Sequence, residues 1–348
     1  MKKLIPKAVR DYQENLLKIR RITNANQALS DKRTLKILEK AHKDLTLLMN
    51  MTGPEKVSYS VYASKRTAID KAIAVMVRDY GFSTRASIYD NAIDVRDIYS
   101  GLNEKLVKDS GVKVNWSLAF TNVPRQATNN VISRVWNDGL TFSDRLWRLN
   151  TSAVKGVNEI LSSGIARGQS AVNMSKDLQQ YLLEPAVTDG TSWTTGISKS
   201  VTGRGTINYN ALRLASTEIN NSYREALVVA NGANPIMLGL RWNLSTSHNV
   251  PDICDVYAKL DAYGKGPGIY PADKMPIDHP GGRCFFTEVL RAANQWAQDK
   301  PEMNILDLSE SEILAPMGQS ATEGQRTAAL KMWNATNQLI NTNLRKAA

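Results

Sequence analysis

Cysteine is almost missing from this chain, with two among 348 residues, and histidine is nearly as scarce, with three. So few cysteines exclude the disulfide framework of a small secreted domain. Aromatic residues make up 7% of the sequence, which leaves little material for base-stacking platforms. No stretch approaches the roughly 20 consecutive apolar residues that a bilayer-spanning helix requires. The opening MKKLIPKAVRDYQE is basic but has no apolar core of the kind a secretory leader carries. These shortages predict a polypeptide made and assembled in a reducing cytoplasm, without membrane segments.

What is present is length, helix and positive charge. With 348 residues, 42% of them hydrophobic, the chain can bury a substantial core and is expected to divide into more than one domain. The net charge of +11 is uneven: residues 1–70 hold 15 Lys and Arg against 7 Asp and Glu. A basic region of that kind attracts phosphate backbones without base specificity, and Lys2, Lys3, Lys7, Arg10, Lys32 and Arg33 are the candidate contacts. The plainer alternative is a solvated helix face.

Periodicity supports helices through the first half. From Ser30, Leu35, Leu38, Leu45, Leu48 and Met49 fall near one face, and Gly53 and Pro54 end that helix. His42 sits beside the stripe and reads as a boundary residue rather than a ligand. Further helices are expected at about 64–80 and 87–106, each ended by glycine or a polar turn, then at 124–150 and 153–184. Residues 185–208, rich in Gly, Ser and Thr, read as a loop, and helix returns at 209–231. Ile236–Ser245 and Arg283–Leu290 alternate as strands, which predicts a small sheet packed on the helix that holds Arg213 and Glu218. Near the end, Thr322 and Gln325 form a capping-box pattern before a last helix with Leu330, Trp333, Leu339 and Ile340 on one stripe. The expected class is therefore α+β, predominantly α-helical: a helical N-terminal domain, then a small helix-plus-sheet C-terminal domain with a loop-rich knot.

That knot is where the scarce residues gather. Both cysteines and two of the three histidines fall between His248 and Cys284, as His248-x5-Cys254 and His279-x4-Cys284, amid turns rich in Gly, Pro and Asp. Two imidazoles and two thiolates, at His248, Cys254, His279 and Cys284, would fill a closed structural zinc site, although the spacing is not the usual C-x2-C knuckle. Alternatively the cysteines are small buried hydrophobes and the histidines are hydrogen-bonded to Asp252, Asp255, Asp278 or backbone carbonyls. A Cys254–Cys284 disulfide is a third arrangement.

The run Trp242, His248, Cys254, Asp255 and Lys259, closing with His279, Pro280, Arg283 and Cys284, resembles the C-terminal signature of the phage Mu F-like minor head proteins, or phage head morphogenesis proteins. Those usually close with H-P-x-C-R-C; here Gly282 stands at the first cysteine, and the preceding C-x2-C is reduced to Cys254 and Tyr257. FSDRLWRLN (142–150) is similar to the family's Ser-x-Arg-x-Trp helix entry, with Ser143 as the expected N-cap. Residues 159–182 resemble its helix, glycine turn, helix unit, in which Gly164 and Gly168 break the first helix and Ser170 caps the second. Arg213 and Glu218 match its Arg-x4-Glu helix.

The resemblance covers about 150 residues, 142–290, in the family's order. It implies a basic helical region at 1–140, a head-morphogenesis-like domain at 141–291 and a helical extension at 292–348. It further implies a structural protein of a phage virion. Its partners would be the portal protein at the portal vertex, the major capsid protein and packaged phage genomic DNA, with no small-molecule substrate and a stay in the host cytoplasm during assembly.

Catalytic signatures are thin. G-x-S-x-G, G-x4-G-K-[ST] and H-E-x-x-H do not occur. Ser152 to Lys155 fits S-x-x-K without its companion motifs. Glu310-Ser-Glu312 matches the E-x-E pair of arginine-directed ADP-ribosyltransferases, but only 57 residues follow Arg291, and the pair more simply opens a helix near Ser309. The enzymatic rival is a metal-dependent nuclease using His248, Asp252 and His279; the expectation is that the chain is not an enzyme.

Overall fold

A computed structural model describes residues 7–108, 114–136, 138–184, 206–246, 248–279, 282–291 and 308–347. Helices dominate: α1 (Lys7–Leu48), α2 (Tyr59–Val107), α3 (Trp116–Ala119), α4 (Val123–Ser133), α5 (Phe142–Ala166), α6 (Ala171–Leu183) and α7 (Ile207–Ala233) precede strand β1 (Met237–Asn243). After it come α8 (Ile253–Lys259), β2 (Ile269–Tyr270), β3 (Phe285–Leu290), α9 (Glu310–Leu314) and α10 (Glu323–Ala347). The fold is thus α+β and predominantly helical. Among the described residues, no helix is long and apolar enough to cross a membrane.

The chain forms two compact units, and neither is continuous in sequence. One comprises Asn26–Ser87 and Leu140–Glu218; the other comprises Met1–Ala25, Ile88–Gly139 and Ile219–Ala348. The expected division at 140 falls within one residue of the crossing between Gly139 and Leu140, whereas no crossing lies at 291, and the other three occur inside α1, α2 and α7. Sequence reading places borders at composition shifts and turns, and a helix interior offers neither.

Among its described residues, the regular structure of the Asn26–Glu218 unit is helical apart from an isolated bridge between Lys56 and Ser170. Its core joins Leu38, Leu45 and Met49 of α1 and its end to Ile69, Ile73 and Tyr80 of α2, Val157, Ile160 and Leu161 of α5, Met174 and Leu178 of α6, and Ala211 of α7. The predicted stripe of α1 is therefore its buried face, although the helix begins at Lys7 rather than Ser30. It ends before Gly53, at Asn50, whose φ of 53° is left-handed. His42 is indeed a boundary residue, its Nε2 lying 3.0 Å from the Ser175 carbonyl.

Glycines misled the reading of two helices. The helices expected at 64–80 and 87–106 are one 49-residue helix, α2. Gly81 does not end it: the residue is buried, and a Cβ there would lie 2.8 Å from Leu146 Cδ1, so its role is close approach of α5. Gly164 likewise stays inside α5 against Met174. The turn comes at Gly168, with φ +67°, and Ser170 then caps α6 by accepting from Asn173 N. The cap of α5 is Thr141, reciprocated by Asp144, rather than Ser143. The helix expected at 124–150 breaks between Ser133 and Phe142, the turn expected between 150 and 153 is absent because α5 runs through it, and the expected turn before Ser170 falls at 167–170. The predicted 185–208 loop lies outside the described residues except for its last three.

The other unit holds a three-stranded antiparallel sheet in the order β2-β1-β3. Strands β1 and β3 were legible; β2, two residues long, was not. Tyr223, Ala226, Leu227 and Ala230 of α7 pack in one core with Met237, Leu240, Trp242 and Phe286 of the sheet. The sheet thus rests, as expected, on the helix that holds Arg213 and Glu218, and specifically on its turns after Glu218. The Tyr223 hydroxyl fixes the pairing by donating to Phe286 O at 3.1 Å and accepting from Phe286 N at 3.2 Å. Burial pushes that phenol up to about 12.

Candidate functional site

The knot is built on α8, a seven-residue helix inside a window expected to hold only turns and short strands. Asp252 is its N-cap. Its side chain accepts from Cys254 N at 2.7 Å, while Asp255 reaches back to Asp252 N at 3.2 Å, a capping box that orients both carboxylates at the helix start. The Ile253, Val256 and Tyr257 side chains are buried beneath. Tyr257 packs on Trp242 with ring centroids 4.8 Å apart, and Trp242 on Phe286 at 5.2 Å.

The histidines come to these carboxylates. His248 Nε2 lies 2.9 Å from Asp255 Oδ2 and 4.0 Å from Asp252 Oδ1. His279 Nε2 lies 3.1 Å from Asp252 Oδ2 and 3.7 Å from Asp278 Oδ1. Lys259, one helical turn after Asp255, approaches its Oδ1 at 2.7 Å. Burial pushes both Asp252 and Asp255 up. The hydrogen bonds from His279 and Cys254 N on the first, and from Lys259 and His248 on the second, prevail and hold each carboxyl below its usual value.

The deepest group is Asp278, whose side chain is fully buried. One oxygen accepts from Cys254 Sγ at 3.4 Å and from the His279 backbone N at 2.8 Å. The other pairs with Arg224 of α7, also buried. Arg224 donates in addition to Cys284 O at 2.6 Å, Gly282 O at 3.3 Å and Asn221 Oδ1 at 3.2 Å. A Cβ at Gly282 would overlap the Asp278 carboxylate, so the space beside this glycine is taken by the Asp278–Arg224 ion pair.

Both cysteines are buried free thiols rather than a disulfide. Cys254 hydrogen-bonds to Cys284, which drives the Cys254 thiol far up, aided by burial and the Asp278 charge, and draws the Cys284 thiol down. Two sets of side chains in the described residues bring potential metal-ligand atoms within 4.8 Å of one another: Asp252, Cys254 and His279, and His248, Asp252 and Asp255. The predicted foursome His248, Cys254, His279 and Cys284 is not one of them. Asp252, read from the sequence as a hydrogen-bonding neighbour, is the member the two sets share.

The remaining candidates scatter. Arg283 is exposed. Arg213 is exposed and Glu218, five residues on, is fully buried. Lys2 and Lys3 lie outside the described residues, and Lys7 and Arg10 are in α1 with side chains that are not described. Lys32 is exposed, whereas Arg33 donates to Ser87 Oγ at 3.3 Å. Sequence reasoning missed the roles of three residues, one of which, Asp278, it names only as a partner for the histidines. Arg224 and Asp278 form the buried pair. Arg20 lies 4.5 Å over the Phe285 ring and donates to Ser245 Oγ at 3.2 Å, so part of the basic N-terminal surplus is structural. The signal for the Arg224–Asp278 pair was a lone arginine in the apolar stripe of α7.

No protein-family model, curated protein or solved structure matches the chain.

Proposed function

We propose that this chain is a structural minor head protein of a tailed bacteriophage, acting at the portal vertex and inner capsid in head assembly and in DNA packaging or ejection. The order of four sequence signatures supports that reading, and one structural observation carries it further. Trp147, the aromatic of the Ser-x-Arg-x-Trp signature, is 68% exposed on α5. Phe82, next to the Gly81 that contacts Leu146, is 64% exposed. Large exposed aromatics flanked by Arg145 and Arg148 are the kind of anchor that protein interfaces use. The knot, by contrast, turns its polar groups on one another and on backbone atoms, which suits an architectural role.

In this reading the partners are the portal protein, the major capsid protein and phage DNA, the chain resides in the virion after assembly in the host cytoplasm, and it takes no small-molecule substrate. Co-expression with a portal protein is expected to give a complex stable at moderate salt, which Trp147→Ala weakens at least tenfold. Failure of the wild-type chain to co-purify at low salt overturns the proposal.

A second reading, a metal-dependent nuclease, draws on the His248, Asp252 and Asp255 group, whose two carboxylates suit Mg or Mn. It requires plasmid cleavage that depends on added metal and is lost in His248→Ala as well as in His279→Ala, whose ring holds Asp252.

A further inference from the structure

We infer that the solvent face of the α2–α5 pair is a groove that receives an acidic amphipathic helix of a partner protein. Carboxylates seven residues apart on that helix meet Lys71, Arg78 and Arg85, and an apolar side chain sits between Phe82 and Trp147. The inference rests on the portal reading for the identity of the partner and adds the surface and the chemistry that hold it.

Contacts along the pair run in opposite senses. Asn158 donates to Asp70 at 2.9 Å, Gly81 abuts Leu146, and Arg85 lies 5.8 Å from the centre of the Phe142 ring, so α2 and α5 are antiparallel. An α-helix turns by about 100° per residue. Phe82 and Trp147 each follow the Gly81–Leu146 contact by one position, and in an antiparallel pair that common rotation carries both to the same side. They stand on the two banks of one groove, across a usual helix separation of about 8–10 Å, and both rings are open to solvent. The spacing around them is that of a seam for another helix. Lys71, Arg78 and Arg85 recur every seven residues on α2, and Trp147 and Val154 are seven apart on α5. The three cations are exposed and Val154 is half-buried.

Charge selects the occupant. The row on α2 places its cations roughly 10 Å apart, the rise of seven helical residues, so a helix with carboxylates at the same interval pairs with them in register. Arg78 also meets the adjacent Asp79 at 2.8 Å, a solvent-facing pair that water and salt weaken. Two copies of this chain meeting at the groove would bring like charges together, which disfavours self-association. A nucleic-acid strand fits less well. The residues that bear the two rings stand across the groove within about 3 Å of one level along the axis, whereas a strand lying in it needs rings in succession. A helix about 10 Å across reaches both rings at once.

The test uses the full chain co-expressed with a portal protein. Carbodiimide treatment of the complex is expected to join Lys71 Nζ to a portal carboxylate as an amide, with loss of water, and peptide mapping should place that carboxylate on a helix with a second one seven residues away. Arg78→Glu combined with Arg85→Glu should weaken the complex about tenfold at low salt, and Phe82→Ala about tenfold at low and moderate salt alike. Arg85→Lys, which keeps the charge, should stay within about twofold of wild type. These side chains are exposed, so melting temperatures should match wild type; if the charge-reversed chain melts lower, the Lys71 cross-link alone decides. A complex that tolerates the double reversal, or a Lys71 cross-link to a second copy of this chain, overturns the inference and leaves the portal reading standing. Absence of any complex removes both. Retention of an oligo(dT) strand that is lost in Phe82→Ala overturns the inference in favour of nucleic acid.

Discussion

The two units bury polar chemistry in opposite ways. In the Asn26–Glu218 unit, two buried tyrosine hydroxyls are satisfied by main chain: Tyr80 donates to Ala211 O at 2.7 Å, and Tyr181 to Ser152 O at 2.9 Å. Among the described residues of that unit, charged side chains are exposed or half-buried, with Glu218 the fully buried exception. The unit with the sheet places an arginine and an aspartate inside and ties four backbone or side-chain acceptors to that arginine. A helical unit can close on apolar side chains alone. A short sheet with a long irregular insert cannot satisfy its backbone by regular pairing, and charged side chains complete it.

The largest effect should come from cutting the buried pair. Arg224→Met leaves Asp278 buried without its cation and is expected to destabilise by about 3–5 kcal/mol, measured by urea denaturation. A loss under about 1 kcal/mol would mean that the pair behaves like a surface one. In the helical unit, Leu178→Ala removes a fully buried side chain of α6 and should cost about 2–5 kcal/mol. If its melting temperature matches wild type, the core assigned to that unit is wrong.

Tyr257→Phe removes the hydroxyl 3.0 Å from Thr336 Oγ1 and should cost about 1 kcal/mol. Hydrogen exchange in α10 ought to rise with it, and unchanged exchange would show that α10 does not depend on this contact.

The smallest effect is on pH. Hydrogen bonds from Thr141 lower Asp144 in one unit, and those from Ser309 lower Glu312 in the other. A carboxyl lowered in the folded state stabilises above its unfolded value, near pH 4, and that contribution fades as pH falls through the lowered folded value. Asp144→Asn and Glu312→Gln should each lower stability slightly at neutral pH, and the difference from wild type should vanish as pH falls through the lowered value, which flattens the acid limb. A difference that persists undiminished in acid would contradict the cap assignment.

Local signals were readable where local chemistry decides structure. The α1 stripe, the caps at Ser170, Ser309 and Thr322, and strands β1 and β3 all follow from neighbours within a few residues. The uninterrupted α2 was not readable, because Gly81 is explained by Leu146, which lies 65 positions away. At the site, the crowding of His248, Cys254, His279 and Cys284 pointed to the correct window. Asp278 and its partner Arg224 come from segments 54 positions apart, and nothing in the spacing of either announces the other. The short α8 was hidden by the prolines and glycines around it.

The helix that follows Thr322 turns back to the knot: Trp333 lies 6.1 Å from the Tyr257 ring, and Thr336 meets its hydroxyl. Arg20 approaches the same sheet from the opposite end of the sequence. During translation, an early stretch of polypeptide must therefore wait until the ribosome has emitted residues beyond 336 before its partner surface is complete. The sheet unit is obliged to mature late, whereas the helical unit needs nothing synthesised after Glu218.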